Sequence, residues 1–292
     1  MSELLFSIFR KGRKFLSGTG IGKLPLVMRV YHFLYQYLRP KGIVLIEAQG
    51  HKMHIDSRDI GVSPYLIMDG VYGKTLTRLF KKIVKKEMTV VDIGAHVGYC
   101  TLITANLVGE NGIVWAFEPE PNNYDLLVKN LKINNYHNVI PVQKAVSNRV
   151  GTTKLFLSPE NTGGHSIYNL YGGRTSIEIE TVSLDEFFKN RENKIDIIKM
   201  DVEGAEMTIL QGMNKILKKN DNLKIITEFS PMLLRRSGYS PEEYLNEYIK
   251  YGFKLYDINE QKDEIIPIGI DRLMEMYTGK KSTNLLCLKG SW

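Results

Sequence analysis

The sequence predicts an α/β fold in which a mostly parallel sheet is covered by helices on both faces. Short β-branched runs alternate with segments of helical periodicity, which is typical of βαβ units with right-handed crossovers. Apart from Asp92, the run Thr89–Ile93 is β-branched throughout, as in a strand buried on both faces, and it leads into a glycine turn. A second apolar run, residues 195–200, ends in the acid Asp201. Both runs are therefore predicted to be central strands whose carboxyl ends share one edge of the sheet.

Residues 1–40 are predicted to form a basic amphipathic helical arm, with a break between two helices at the glycines of positions 18, 20 and 22. Residues 1–88 contain 16 lysines and arginines against 6 acids, a net charge of +10, whereas the remainder contains 23 against 26. Such a basic front suits a membrane surface or an acidic partner. The alternative is an arm that packs on its own domain or on the second subunit of a homodimer.

Residues 41–87 are predicted to form a cap and a helix that lead into the core. Two short strands within residues 43–56 flank Gln49-Gly50 and form a small β-hairpin extension. An ordered loop follows over residues 56–64. Apolar residues at positions 76, 79, 80, 83 and 84 then recur with helical spacing, which predicts a surface helix whose lysines face solvent.

Residues 88–292 are predicted to be the core domain. Its main strands are expected at 89–93, 112–117, 138–142, 195–200 and 223–229, and its helices at 98–108, 121–134, 205–218 and 241–251. Two further strands, 151–157 and 177–182, flank a glycine-rich loop, and two final strands are expected at 253–258 and 284–288. Ligands of open α/β sheets bind at the carboxyl ends of the strands, so that edge is where a site is expected.

The glycine turn after the first core strand is the first candidate site. Gly94 and Gly98 allow a sharp turn and close approach of a ligand. The next strand ends in Glu118, 24 positions after Gly94, where a carboxylate can accept the hydroxyls of a ribose. The turn lacks the third glycine of a dinucleotide-binding fingerprint, which argues against a nicotinamide dehydrogenase. A ligand without a pyrophosphate, such as S-adenosylmethionine, suits this looser turn.

The second candidate site is the stretch after the strand at 195–200. Asp201 lies at the end of that strand and is expected to face the same cleft as Asp92 and Glu118. Glu203 and Glu206 follow around the first turn of a helix. Acids in this position also stabilise a helix N-terminus, so the sequence leaves open whether Glu206 caps the helix or serves the site.

These motifs resemble those of the FkbM-type S-adenosylmethionine-dependent methyltransferases. The resemblance covers about residues 54–230 and rests on Val-Asp-Ile-Gly-Ala-His-Val-Gly-Tyr at 91–99, Phe-Glu-Pro at 117–119 and Lys-Met-Asp-Val-Glu-Gly-Ala-Glu at 199–206. It implies the class I methyltransferase fold, a Rossmann-like sheet of seven strands whose last strand is antiparallel. It also implies O-methylation of a sugar, glycolipid or secondary-metabolite hydroxyl, with S-adenosylhomocysteine as the product of the cofactor.

The resemblance further implies which residues hold the cofactor. Ala145 and Val146 would lie beside the adenine, and Asp201 would face the methionine end and the acceptor. The complete set of predicted cofactor residues is Asp92, Gly94, Ala95, His96, Gly98, Tyr99, Glu118, Pro119, Ala145, Val146 and Asp201. The chain departs from the family pattern at His96, where asparagine is usual, and at Gly73, where a glutamate often follows the residue equivalent to Tyr72.

Methyl transfer to an alcohol benefits from a general base. The candidates are His165, Asp201, Glu203, Glu228 and, if it is not a cap, Glu206. His165 lies in the glycine-rich loop, where its imidazole could swing over the acceptor. Asp201, Glu203 and Glu228 could instead bind a divalent cation, but their spacing does not demand one, and no metal site is predicted.

Other classes of function fit the sequence less well. A nucleic-acid methyltransferase is disfavoured because the core is near neutral and contains no N-P-P-Y-like motif, so no nucleic-acid partner is expected. Two cysteines, Cys100 and Cys287, provide neither a disulfide framework nor zinc spacing. No apolar run reaches the ~18 residues of a membrane span, and the N-terminus lacks the order of a signal peptide. A cytoplasmic enzyme is expected, with peripheral membrane contact through the arm as an option; the alternative function is a non-catalytic platform.

Overall fold

The computed structural model describes residues 6, 9, 11, 25–191 and 194–290. Its N-terminal part comprises α1 (Pro25–Leu38), β1 (Ile43–Ala48), β2 (His51–Asp56), α2 (Ser63–Asp69) and α3 (Lys74–Ile83). The core begins with β3 (Thr89–Ile93), α4 (Tyr99–Val108), β4 (Ile113–Phe117), α5 (Pro121–Ile133), β5 (Val139–Val142), β6 (Ala145–Val146), β7 (Gly151–Phe156) and β8 (Ser176–Val182). It continues with α6 (Leu184–Phe187), β9 (Ile197–Met200), α7 (Glu206–Gln211), α8 (Asn214–Lys219), β10 (Lys224–Phe229), α9 (Pro231–Arg236), α10 (Pro241–Lys250), β11 (Lys254–Asn259), β12 (Glu264–Pro267), α11 (Ile270–Met276) and β13 (Thr283–Leu288).

The central sheet confirms the predicted fold class. Its strands lie in the order β12-β11-β13-β10-β9-β3-β4-β5. The five strands from β10 to β5 are parallel, and β13 inserts antiparallel between β10 and β11. The predicted number of seven strands is wrong, because β12 folds back on β11 as an eighth strand at the edge. β12 is only four residues long and follows the polar stretch 259–263, so it has no clear strand pattern in the sequence.

Two apolar layers cover the sheet, because successive residues of a strand point to opposite faces. Val90 and Ile197 belong to one layer, together with residues of α3, α4 and α5. Val91 and Ile198 belong to the other, together with residues of α7, α8 and α10. The strand ends are consequently held firmly on both sides, and the residues that follow them emerge at a fixed edge.

One predicted helix is two helices. The sequence suggests continuous helix over 205–218, but α7 ends at Gln211 and α8 begins at Asn214. At Gly212 the chain passes so close to the backbone of Ser147 that a Cβ would lie 2.2 Å from the Ser147 carbonyl oxygen. The break is therefore caused by a contact with a distant segment. Three other short helices, α2, α9 and α11, were not indicated by the sequence pattern.

The predicted hairpin is present and is built into the domain. β1 and β2 pair antiparallel from Ile43 opposite Asp56 to Ala48 opposite His51. Met53 of β2 and Phe80 of α3 are buried in the same apolar layer as Val90. Residues of the predicted cap thus belong to the same apolar core as the sheet.

Of the predicted arm, residues 25–38 form the helix α1. The predicted first helix and the glycine break lie outside the described residues, apart from residues 6, 9 and 11. Phe6 packs against Tyr35, with ring centroids 6.4 Å apart, and both are buried. On another face of α1, Val30, Phe33 and Tyr37 are 50%, 69% and 77% exposed. In the described part of the chain, no helix is both long and apolar enough to cross a bilayer.

Candidate active site

The glycine turn brings the ends of three strands together. Gly94 adopts φ 73°, and its amide donates to the Phe117 carbonyl at the end of β4 (3.0 Å). A Cβ at Gly94 would lie 2.1 Å from the carbonyl oxygen of Asp201, at the end of β9. Only glycine fits between these strands, and the turn consequently fixes Asp201 and the residue after Phe117 at one edge.

A buried ion pair lies beneath this turn. The register of β3 and β9 places Asp92 opposite Lys199, and Lys199 Nζ lies 3.1 Å from Asp92 Oδ1. The same ammonium donates to the Gly94 carbonyl (3.1 Å), while the Thr101 hydroxyl donates to Asp92 Oδ2 (2.6 Å). Burial opposes the charge, but the attraction of Asp92 and Asp201 raises the pKa of Lys199. Asp92 therefore stabilises the turn through Lys199, which binds both its carboxylate and the Gly94 carbonyl. Lys199 was not identified as its partner from the sequence.

Glu118 is held at the edge by backbone amides. Its Oε2 accepts from the His96 amide (2.8 Å), and its Oε1 accepts from the Glu120 amide (3.0 Å). The side chain is 6% exposed. Burial raises the pKa of Glu118 to about 7, although the two amide hydrogen bonds act in the opposite direction. The carboxyl is thus fixed in position and close to its titration point at neutral pH.

A pocket that is partly open to solvent lies at this edge. Seven of the predicted cofactor residues line it: Gly94, His96, Glu118, Pro119, Ala145, Val146 and Asp201. Ile93, Phe117, Val202 and Ile167 add apolar wall. Asp92, Ala95, Gly98 and Tyr99 do not line this pocket; they shape the turn and the start of α4, and their direct contact with a cofactor stays a prediction.

The glycine-rich loop covers one side of the pocket, and three side chains form hydrogen bonds with its residue Thr162. Asp59 Oδ1 accepts from the Thr162 amide (3.0 Å), His96 Nε2 lies 2.8 Å from its hydroxyl, and Asn123 Nδ2 donates to its carbonyl (2.9 Å). Burial lowers the pKa of His96 to about 4, so its ring is neutral at physiological pH. The residue in the family's usual asparagine position therefore anchors the loop. Asp59, Asn123 and Thr162 come from separate segments, and no local motif marks them.

His165 lines the pocket and is hydrogen-bonded within its own loop. Its Nδ1 accepts from the Ser158 amide (2.9 Å), and burial lowers its pKa. This hydrogen bond holds the ring on its own loop in the structure, and the expected movement of the imidazole over the acceptor stays a prediction. The structure places His165 in the lining with Glu118 and Asn123, and its role as a base stays a prediction.

Three carboxylates form a cluster beside the pocket. Asp201, Glu203 and Glu228 each have a carboxylate oxygen that lies within 4.8 Å of an oxygen of the other two. Burial, followed by the charges of Asp201 and Glu206, raises the pKa of Glu203 to about 8. Burial, followed by the charges of Glu203, Asp201 and Glu206, also raises the pKa of Glu228, although a hydrogen bond with the Ser282 side chain acts in the opposite direction. Glu228 Oε2 has no hydrogen-bond partner among the described residues. The spacing would accommodate a cation, but the three groups alone do not establish a metal site.

Tyr72 borders this cluster. Burial and the charges of Asp201, Glu228 and Glu203 raise the pKa of its phenol, so the hydroxyl keeps its proton and can donate. At the next residue, Gly73, a Cβ would lie 3.3 Å from Glu260 Oε1. The Glu260 carboxylate accepts from the amides of Thr75 (3.0 Å) and Leu76 (2.8 Å) at the start of α3. A glutamate from the β11–β12 hairpin thus occupies the space next to Gly73.

Glu206 is the first residue of α7, and its side chain binds the turn that precedes the helix. Its Oε1 lies 3.3 Å from the amide nitrogens of both Val202 and Gly204, and the side chain is 3% exposed. Burial raises the pKa of Glu206 to about 7. Glu206 thus stabilises the turn between β9 and α7 and makes no side-chain cap of the helix, so whether it also serves the site stays open. The cluster consists of Asp201, Glu203 and Glu228.

Comparison with known proteins adds a family assignment. The model of the methyltransferase FkbM domain matches residues 92–255, which is more than half of the chain. Hexuronic acid methyltransferase AglP of Haloferax volcanii is 30% identical over 142 residues, 48% of this chain and 56% of AglP. Methyltransferase sdnD of Sordaria araneosa is 27% identical over 157 residues, 43% of this chain and 60% of sdnD. The aligned part therefore spans less than two thirds of these relatives.

Solved structures that resemble this chain include an S-adenosylmethionine-dependent O-methyltransferase from Thermotoga maritima. It is 13% identical, with a TM-score of 0.43, over 91% of this chain and 82% of that chain.

Proposed function

The chain belongs to the FkbM family of S-adenosylmethionine-dependent methyltransferases, and on that premise we propose that it transfers a methyl group to a hydroxyl of a sugar. One observation carries the proposal: Asp201 lines the pocket that contains Glu118 and also belongs to the carboxylate cluster. A cofactor in the pocket and an acceptor at the cluster would therefore meet at this residue.

The pocket residues fit the cofactor's chemistry. Glu118 presents a carboxyl, fixed by two backbone amides, that can accept hydrogen bonds from ribose hydroxyls. Ala145, Val146 and Ile167 offer an apolar wall suited to a flat adenine ring. The absent side chain at Gly94 leaves the turn close to Asp201, where the methionine end of the cofactor would lie.

The carboxylate cluster supplies the base. Bound S-adenosylmethionine provides an electrophilic methyl group, so the protein has to orient the hydroxyl, accept its proton and exclude water. Once it is ionised, a carboxylate with a raised pKa is a stronger proton acceptor, and burial raises the pKa of Glu203 to about 8. We assign the role of base to Glu228, since its Oε2 has no hydrogen-bond partner among the described residues. The Tyr72 hydroxyl, beside the same carboxylates, would donate to the acceptor.

A sugar acceptor is supported by the polarity of this site. Carboxylates and a tyrosine hydroxyl can bind several hydroxyls of one sugar ring, and one relative is named as a hexuronic acid methyltransferase. The same three acids repel a polyanion, which disfavours a nucleic-acid substrate. The alternative, a non-catalytic cofactor-binding platform, has no specific observation in its favour.

The experiment is methyl transfer from S-adenosylmethionine carrying a ¹³C-labelled methyl group to a panel of neutral and acidic sugars and sugar phosphates. Nuclear magnetic resonance identifies an O-methyl product by its carbon shift. We expect transfer by the wild type, a loss of at least 100-fold in Glu228→Gln, and no loss in Glu178→Gln, an exposed acid of β8. Transfer that persists in Glu228→Gln excludes that residue as base. Cofactor binding without transfer to any member would favour the platform.

A chelator provides the test for the cation alternative. The proposal assigns no metal, so turnover is expected to be unchanged after treatment with ethylenediaminetetraacetate. A loss restored by Mg²⁺ would instead assign a cation to Asp201, Glu203 and Glu228.

A further inference from the structure

Two arginines share one aromatic ring at the rim of the site. The guanidinium carbon of Arg174 lies 4.5 Å from the centroid of the Tyr171 ring, and that of Arg236 lies 4.8 Å from it. Tyr171 is 53% exposed. Arg174 comes from the glycine-rich loop and Arg236 from the end of α9, so the fold brings two separate elements to this ring.

The positive charge of this group is not matched by an ion pair. Arg174 Nη1 donates to the Gly164 carbonyl (2.9 Å), and Arg236 Nη1 donates to the Leu170 carbonyl (3.1 Å). Neither guanidinium forms an ion pair with a carboxylate in the part of the chain that the structure describes. Each retains further N–H donors in a planar fork, the geometry that binds carboxylates and phosphates through two hydrogen bonds.

Arg174 is close to the reacting end of the site. Gly163, His165, Ser166 and Ile167 of the same loop line the pocket. The Ser166 hydroxyl donates to the carbonyl of Glu203 (2.7 Å), which joins the loop to the carboxylate cluster. The charge of Arg174 is near enough to lower the pKa of both Glu203 and His165 from what burial alone would give.

The loop that carries this group is fixed in advance. The Tyr168 hydroxyl lies 2.6 Å from Thr208 Oγ1 of α7, and Thr208 Oγ1 lies 3.0 Å from the Tyr239 hydroxyl. A ligand that binds to arginines on such an anchored loop loses little affinity to ordering of the protein.

We propose that Arg174 and Arg236, on the two sides of Tyr171, form a subsite for an anionic group of the acceptor, a carboxylate or a phosphate. The inference rests on the proposed function and narrows its substrate to an acidic or phosphorylated sugar. The carboxylate cluster at the reacting end offers an anion no positive charge, whereas the arginine pair attracts it. The acceptor is thereby oriented, with its anionic group at the rim and a hydroxyl at the cluster.

Binding of sugars to the protein saturated with S-adenosylhomocysteine tests this subsite without turnover. The probes are glucuronic acid, glucose 1-phosphate and, as the neutral comparison, glucose, each titrated by calorimetry at low ionic strength. We expect at least one anionic probe to bind ten or more times more tightly than glucose. A preference for glucuronic acid identifies a sugar acid, and a preference for glucose 1-phosphate identifies a sugar phosphate.

The variants are Arg174→Gln and Arg236→Gln, with Arg235→Gln as the matched control, since Arg235 is an exposed neighbour on the same helix. We expect each variant to lose most of its preference for the anionic probe over glucose, and the control to keep that preference. The affinity for S-adenosylhomocysteine should be the same in all of these proteins. Equal binding of charged and neutral sugars by the wild type, including no binding of either, overturns the proposal. So does a preference that survives in the doubly substituted protein. Failure of the wild type to bind S-adenosylhomocysteine would instead reject the proposed function.

Discussion

Lys199 Nζ lies 3.1 Å from Asp92 Oδ1, and the two side chains are 7% and 2% exposed. The pair joins the central strands β3 and β9 directly beneath the glycine turn, and Lys199 also donates to the Gly94 carbonyl. The lysine of the Lys-Met-Asp-Val-Glu-Gly-Ala-Glu motif therefore supports the site from within the sheet and does not line its pocket.

Removal of this lysine tests the supporting role. Lys199→Met leaves Asp92 as a buried charge without its partner, so we expect a loss of about 3–5 kcal/mol in the free energy of unfolding. Chemical denaturation measures it. The control is Lys194→Met, whose pair with Asp196 is 3.5 Å long and exposed and should contribute about 1 kcal/mol or less. Equal losses in the two variants would contradict the account.

The carboxylate cluster predicts that stability falls as the pH rises. Folding raises the pKa of Glu203 to about 8 and also raises that of Glu228, so both favour the protonated form. Stability is consequently greatest below the ordinary glutamate pKa and is lost as the pH passes from about 4.5 to about 8. At pH 8 we expect Glu228→Gln to be more stable than the wild type by about 1 kcal/mol.

Thermal unfolding at pH 5 and at pH 8 measures this difference. Glu178→Gln, in an exposed position on β8, should behave as the wild type at both values. A Glu228→Gln variant that is less stable than the wild type at pH 8 would show that Glu228 has a stabilising partner, such as a tightly bound cation.

Glu118 predicts a pH dependence of cofactor binding. Its pKa of about 7 means that the carboxyl is largely protonated at pH 6 and ionised at pH 8. An ionised carboxylate accepts hydroxyl hydrogen bonds more strongly. We therefore expect the affinity for S-adenosylhomocysteine to rise by up to about tenfold from pH 6 to pH 8. The rise should be absent in Glu118→Gln, and a rise of equal size in that variant would assign it to another group.

The exposed face of α1 provides the test for the predicted membrane contact. Val30, Phe33 and Tyr37 fall within about 60° of one another on the helix, and residues 25–41 contain three basic residues and no acid. Such a face suits an anionic bilayer surface. We expect the full chain to sediment with vesicles containing phosphatidylglycerol and not with pure phosphatidylcholine.

The variant Phe33→Glu with Tyr37→Glu should lose at least tenfold in vesicle binding. Ile249→Glu is the matched control, because Ile249 is a 47% exposed apolar residue of α10. Vesicle binding that is unaffected by the double change would reject this surface. If the wild type is a dimer that the double change dissociates, the face is instead a contact between two copies.

The sequence was sufficient for those parts of the fold and the site that local patterns encode. β3 and β4 follow from their β-branched runs, and the position of Glu118 follows from the end of β4. The Asp92–Lys199 pair was not predicted, because it depends on the register of two strands more than 100 positions apart. The same reason applies to Thr162, whose three anchors come from distant segments.

Other differences arise from contacts that override a local preference. The helical pattern of residues 205–218 continues through Gly212, yet the approach of Ser147 ends the helix there. The glycine-rich sequence around His165 indicates mobility, but the bond from the Ser158 amide to Nδ1 holds the ring on its own loop. In both cases the contact is made by a backbone atom, the Ser147 carbonyl oxygen or the Ser158 amide nitrogen, whose position the local pattern does not encode.

Calorimetric titration with S-adenosylhomocysteine, on the wild type and on Glu118→Gln, tests the central claim most directly. We expect the wild type to bind and Glu118→Gln to bind at least fivefold more weakly. This is a loss of about 1 kcal/mol or more in binding free energy, caused by weakened hydrogen bonds. Glu110→Gln, an exposed acid before the opposite end of β4, should bind as the wild type does. No binding by the folded wild type, or equal binding by Glu118→Gln, would contradict the assignment of this pocket to the cofactor.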